Sequence, residues 1–187
     1  MASQAWQQYA QMLLPALVPA HAGSGVPAWV LLGMAAHESG VPPVSYSSLV
    51  GINNPWGIDC NGQAGSCAVY PSLAAAGEAL PDLLPANVLA EASNPTLFMR
   101  DLQEDDWSGS TTGDYAQSIL TYWGPLAQAA LTAIGVDPVT GIPVAIGPPA
   151  PGTPGTIAAA RSTSPWLVAG AVAVVALGVV GIVVAVV

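Results

Sequence analysis

Apolar and polar positions follow a helical rhythm along the N-terminal part of the chain. Between Ala5 and Pro19, the residues Tyr9, Met12, Leu13 and Leu17 fall on one face with glutamines between them, which predicts an amphipathic helix that Pro15 is placed to kink. A second helix is expected to open at Ser24-Gly25-Val26-Pro27, where proline suits a first helical position, and to stop at Gly40. Glu38 stands near the end of this otherwise apolar segment. From Ser39 to Tyr70 the rhythm is lost, and Pro42-Pro43 and Asn53-Asn54-Pro55 predict irregular structure with a short hairpin. Helical spacing returns at Ser72–Leu84, where Pro81 is placed to divide the helix, and at Asn94–Leu102. A last helix is expected over Tyr115–Ile134, with Asp114 as its cap and Gly124-Pro125 as a bend. The fold class read from this pattern is mainly α, formally α+β: a two-lobed helical domain with a small irregular or hairpin lobe, over residues 1–135.

Beyond that domain the pattern changes twice. Residues 136–165 are dense in Pro, Gly and Thr and read as a linker too poor in large apolar residues to bury a core. From Trp166 to Val187 no charged or strongly polar residue occurs. A helix over these residues, at about 1.5 Å per residue, spans the roughly 30 Å hydrocarbon core of a bilayer, so 166–187 is expected to be a single C-terminal transmembrane helix. With no polar stripe to line water, a pore is not the expected use of that helix.

Charge narrows the partners. Eleven acidic residues stand against 2 basic ones, Arg100 and Arg161, for a formal net charge of −9. Nucleic acid is excluded as a partner because almost nothing is present to neutralise phosphates, and a basic membrane-surface patch is excluded on the same ground. Association with a lipid membrane is therefore expected through the C-terminal helix. The N-terminal segment has glutamines in its apolar run and no Lys or Arg, and is not expected to act as a secretory signal. Cys60 and Cys67 enclose a short polar loop and are expected to form a disulfide, with a pair of free thiols as the alternative. His21 and His37 are not at metal-site spacing, so neither a metal nor a cofactor is expected, and His37 is assigned a structural role.

A carboxylate ending an apolar helix is suited to general acid chemistry, since partial burial disfavours its ionisation. Taken alone, the commoner reading of such a carboxylate is a solvated helix end. The surrounding segments change this. Leu31-Leu32-Gly33-Met34-Ala35-Ala36-His37-Glu38-Ser39-Gly40, then Asn53-Asn54-Pro55-Trp56-Gly57-Ile58, then Val69-Tyr70-Pro71-Ser72, then Trp107 through Asp114-Tyr115-Ala116 occur in an order that resembles the glucosaminidase family of peptidoglycan hydrolases, glycoside hydrolase family 73 of the lysozyme-like superfamily. The likeness departs from the family at Val41-Pro42-Pro43 and at Trp107, where a tyrosine is usual.

The resemblance implies that Glu38 protonates a glycosidic oxygen while positive charge develops on the sugar ring. It implies substrate contacts from Trp56, Tyr70, Trp107 and Tyr115, whose rings suit sugar faces, and from Asn54. Asp59 and the cluster Glu104-Asp105-Asp106 are the candidates for a second carboxylate, the cluster also reading as a solvated turn. Trp29, Tyr122 and Trp123 are assigned to the core. The function expected is a membrane-anchored hydrolase of peptidoglycan glycan strands, set in a bacteriophage virion membrane or entry apparatus, or else in a bacterial cell envelope. The alternative is an inactive wall-binding or structural virion membrane protein.

Overall fold

The computed structural model describes residues 2–41, 51–58, 60, 67–107 and 114–145. All belong to the first of two units into which the chain divides, Met1–Ile146. The expected transmembrane segment 166–187 lies outside the described residues, among which no helix is long and apolar enough to cross a membrane.

Helix α1 (Gln4–Ser24) starts where the Ser3 side chain accepts a hydrogen bond from the Trp6 N–H, and ends at Gly25, whose φ of 75° is the left-handed turn that glycine adopts without penalty. It runs through Pro15 and Pro19 without interruption. Helix α2 (Ala28–Ser39) is buried along nearly its whole length and ends at Gly40. Helix α3 (Leu73–Leu83) is capped by Ser72 and is not divided by Pro81, whose ring packs closely on Gly23 of α1 instead. A short α4 (Ala86–Ala90) leads to α5 (Pro95–Glu104), capped by the Asn94 side chain, with proline in its first turn as its missing N–H allows.

The final helix is continuous but not uniform. It begins as α6 (Tyr115–Ser118), widens into a π-helical turn over Ile119–Trp123, and resumes as α7 (Gly124–Ala133). Pro125 lacks the N–H that a regular helix would direct at Thr121, while the Gly124 N–H reaches back to the Ile119 carbonyl. Gly-Pro therefore widens this helix where the sequence predicts a bend. Asp114 makes no side-chain cap bond; the Gln103 side chain of α5 accepts from the Ala116 N–H at 3.0 Å instead.

Close approaches fix the packing. A Cβ on Gly77 of α3 would collide with the Ala16 carbonyl of α1. One on Gly124 would lie 2.5 Å from the Trp29 ring of α2 and 2.7 Å from the Ile119 carbonyl, while Gly33 of α2 faces the Gly124 backbone. These glycines let α1 meet α3, and α2 meet the π turn, at backbone distance. Around these contacts lies one apolar core that includes Leu13, Leu17, Leu31, Met34, Phe98, Leu102, Ile119 and Leu131.

The α+β class with a hairpin lobe is corrected: the described residues form a mainly α-helical domain with no β-strand, the nearest approach being an isolated bridge between Val136 and Pro143. The reason is local. Asn53 and Gly57 have φ of 56° and 65°, which extended strands do not tolerate. The buried Asn54 amide donates to the carbonyls of Ile58 (2.8 Å) and Ala68 (3.0 Å) and its oxygen accepts from the Ile58 N–H (2.9 Å). One side chain thus joins the two arms of the loop where a ladder would have done so, helped by backbone bonds from Tyr70 to Ile52 and from Ala68 to Ile58.

Residues 136–145, expected within the linker, pack on the domain. The Ala28 and Trp29 N–H groups at the start of α2 donate to the carbonyls of Val139 (2.7 Å) and Pro138 (2.9 Å). The segment closes on itself through Asp137, whose backbone N–H donates to Ile142 and whose side chain accepts from Val139 and Thr140. With Pro27 preceding α2 and no side-chain cap there, this strap satisfies two of the helix's free donors.

Candidate functional site

The C-terminal turn of α2 holds Glu38, and its neighbours in sequence hold the turn. Ser39 donates to the Ala35 carbonyl at 2.7 Å and accepts from the Tyr9 hydroxyl of α1 at 2.7 Å. Gly40 follows with φ 77° and ψ 170°, a region open essentially to glycine alone. The Glu-Ser-Gly run is thus a clamp on the end of α2, with Ser39 tied to α1 and Glu38 left free to face the last helix.

There it meets Tyr115. The Tyr115 side chain is buried, and its hydroxyl has no complete hydrogen bond to a described residue. It nonetheless lies close enough to the Glu38 carboxyl for each to shift the other's titration. Burial raises the Glu38 pKa above its ordinary value, and the Tyr115 hydroxyl partly offsets this by favouring the carboxylate. Tyr115 is pushed well above the usual phenol value, first by its own burial and then by the Glu38 charge. The pair is a protonatable acid beside a neutral phenol that can donate to the acid's conjugate base.

His37 sits on the outer side of the same turn. Its ring stands edge-on to Tyr115 (centroids 5.0 Å apart) and to Trp123 (6.3 Å), and its Nδ1 is 3.5 Å from the Ser118 hydroxyl. Partial burial among these rings lowers its pKa, so the neutral imidazole prevails at neutral pH. Trp123 also contacts Trp6 (5.9 Å) and Tyr122 (4.9 Å).

The other expected site residues divide. Trp56 is 1% exposed and donates its indole N–H to the Leu31 carbonyl at 2.9 Å, so it anchors the loop to α2 and offers no face to a sugar. Asn54 has spent its amide on the loop, as described above. Tyr70 and Trp107 are half-buried against the core, with the Tyr70 carbonyl accepting from the Asn53 side chain at 2.9 Å. Cys60 and Cys67 form a disulfide, S–S 2.02 Å. Asp59 lies outside the described residues. Glu104, Asp105 and Asp106 are exposed at the end of α5, where Asp105 accepts from Asn87 and Glu104 lies 3.9 Å from Arg100. Among the described residues no group of His, Cys, Asp and Glu converges to hold a metal ion, and no carboxylate perturbs Glu38.

Sequence reasoning misses the ring contacts of His37 with Tyr115 and Trp123, and of Trp123 with Tyr122. A signal is present: adjacent aromatics on a helix point about 100° apart, so Tyr122 and Trp123 cannot both face the core. Set against family models, curated proteins and solved structures, the chain matches none.

Proposed function

We propose that this chain is a membrane-anchored glycosidase that cleaves the glycan strand of peptidoglycan, with Glu38 as its general acid. The observation that carries the reading is the Glu38–Tyr115 pair: a carboxyl biased toward its protonated form by burial, beside a buried phenol with no other partner among the described residues. The acid gives its proton to the glycosidic oxygen, the C–O bond breaks, and positive charge develops on the departing sugar ring. Tyr115 then donates to the carboxylate that remains. The likeness of the Glu-Ser-Gly, Asn-Asn-Pro-Trp-Gly-Ile and Tyr-Pro-Ser segments to glucosaminidases supports peptidoglycan as substrate, and the apolar run 166–187 supports an anchor in a virion or cell membrane. With no second carboxylate assigned, the step is completed by water, by the substrate's own N-acetyl group or by formation of an anhydro product.

A second reading has its own observation. Asn54 and Trp56, expected to touch the substrate, serve the framework, which favours a wall-binding module without turnover. Zymography with the detergent-solubilised full chain separates the two. Clearing by the parent chain and none by Glu38→Gln supports the enzyme; equal inactivity of both, with retained binding to purified walls, supports the module. Mass spectrometry of released fragments then assigns the linkage and distinguishes hydrolysed from anhydro ends.

A further inference from the structure

Tyr122 is 58% exposed, whereas Trp123 beside it is half-buried and Tyr115 buried. The π turn carries it outward beside Trp123, with ring centroids 4.9 Å apart and planes at 84°. Trp123 continues to His37, His37 to Tyr115, and Tyr115 to Glu38. An unbroken run of rings therefore leads from an exposed aromatic corner to the acid. Polar edges accompany it: the Tyr122 hydroxyl, the His37 ring nitrogens, the Ser118 hydroxyl at 3.5 Å from one of them, and the Tyr115 hydroxyl with no complete bond.

The chemistry of this corner selects its occupant. A ligand recognised here offers an apolar face and a hydrogen-bonding rim, as a pyranose does. The whole chain contains 2 basic residues, so a phosphorylated or sulfated ligand gains nothing. An apolar protein segment would leave the ring nitrogens and hydroxyls without partners. We propose that Tyr122, Trp123 and His37 form a saccharide subsite that stacks an N-acetylhexosamine ring of the glycan strand next to the one cleaved at Glu38. This rests on the glycosidase reading for the identity of the strand. Tyr122 stacks on the sugar face, Trp123 forms the wall behind it, and neutral His37 hydrogen-bonds to the sugar rim.

The test is calorimetric titration of the N-acetylglucosamine tetramer into the detergent-solubilised full chain in a Glu38→Gln background, which prevents turnover. Tyr122→Ala is expected to weaken binding about tenfold, and Tyr122→Phe, which keeps the ring, to stay within about twofold of the parent. Far-UV circular dichroism verifies that the exposed substitutions leave the helices unchanged. Tetramer binding that Tyr122→Ala leaves within about twofold, a Phe variant as weak as the Ala variant, or no binding to the parent overturns the subsite. The outcomes stay separable from the glycosidase reading. Wall clearing with Tyr122-independent binding removes the subsite and leaves the enzyme; Tyr122-dependent binding without Glu38-dependent clearing removes the enzyme and leaves a saccharide-binding corner.

Discussion

Glu38 and Tyr115 make opposite contributions to folding and to chemistry. The Glu38 pKa is raised on folding, so the folded chain binds its proton more tightly than the unfolded chain does, and stability falls as pH rises from the ordinary value of 4.5 through the folded value. Glu38→Gln removes that penalty. The variant is expected to melt higher than the parent at neutral pH and at the same temperature well below pH 4.5, by differential scanning fluorimetry, while losing all glycan cleavage. Tyr115→Phe removes the group that favours the carboxylate, so the Glu38 pKa rises further. The pH profile of kcat is expected to shift its Glu38 limb upward and its maximum to fall about tenfold. By the same linkage this variant is expected to be less stable than the parent at neutral pH and to match it well below pH 4.5.

Elements position this pair through backbone contact more than through large side chains. Gly33 and Gly124 bring α2 against the π turn, and the same crossing sets Glu38 against Tyr115. Gly124→Ala places a methyl group into the Trp29 ring and the Ile119 carbonyl, and is expected to cost about 1–3 kcal/mol in urea unfolding with a parallel loss of cleavage. Gly51→Ala, where nothing lies within 4 Å of the added carbon, is the matched control and leaves both unchanged. Helices were legible in the sequence where the apolar period was regular, as over Ser72–Leu84 and Asn94–Leu102; the caps were less so, since Ser72 and Asn94 accept the cap bonds while Asp114, the cap expected, makes none. The π turn was not, because Gly-Pro reads as a break unless the neighbouring helix that needs the glycine is known. The loop roles of Asn54 and Trp56 were hidden for a related reason: residues in an irregular segment read as exposed until a partner such as the Leu31 carbonyl is in place. The place of Glu38 at the end of an apolar helix was legible, whereas its approach to Tyr115 depended on tertiary packing.

At the scale of the whole domain, composition and structure disagree about where the helical body stops. Pro, Gly and Thr make 136–145 look like spacer, yet the carbonyls of Pro138 and Val139 accept from the first N–H groups of α2, and Val136 is buried. A chain ending at Ile134 is expected to be less stable in urea unfolding than one ending at Ala145 by about 2–4 kcal/mol, from two unpaired helix donors and the lost apolar contact of Val136. The same strap has a practical corollary. It grips the first turn of α2, while Glu38 lies about 15 Å further along that helix. Tyr9 and Trp6 meet Ser39 and Trp123 at the Glu38 end of that helix, so the amino-terminal stretch of the chain packs beside the face that carries Glu38. A bulky affinity tag or fluorescent fusion at the amino terminus is therefore expected to hinder the approach of a long polymer to the Glu38 carboxyl more than the same fusion placed after Ala145.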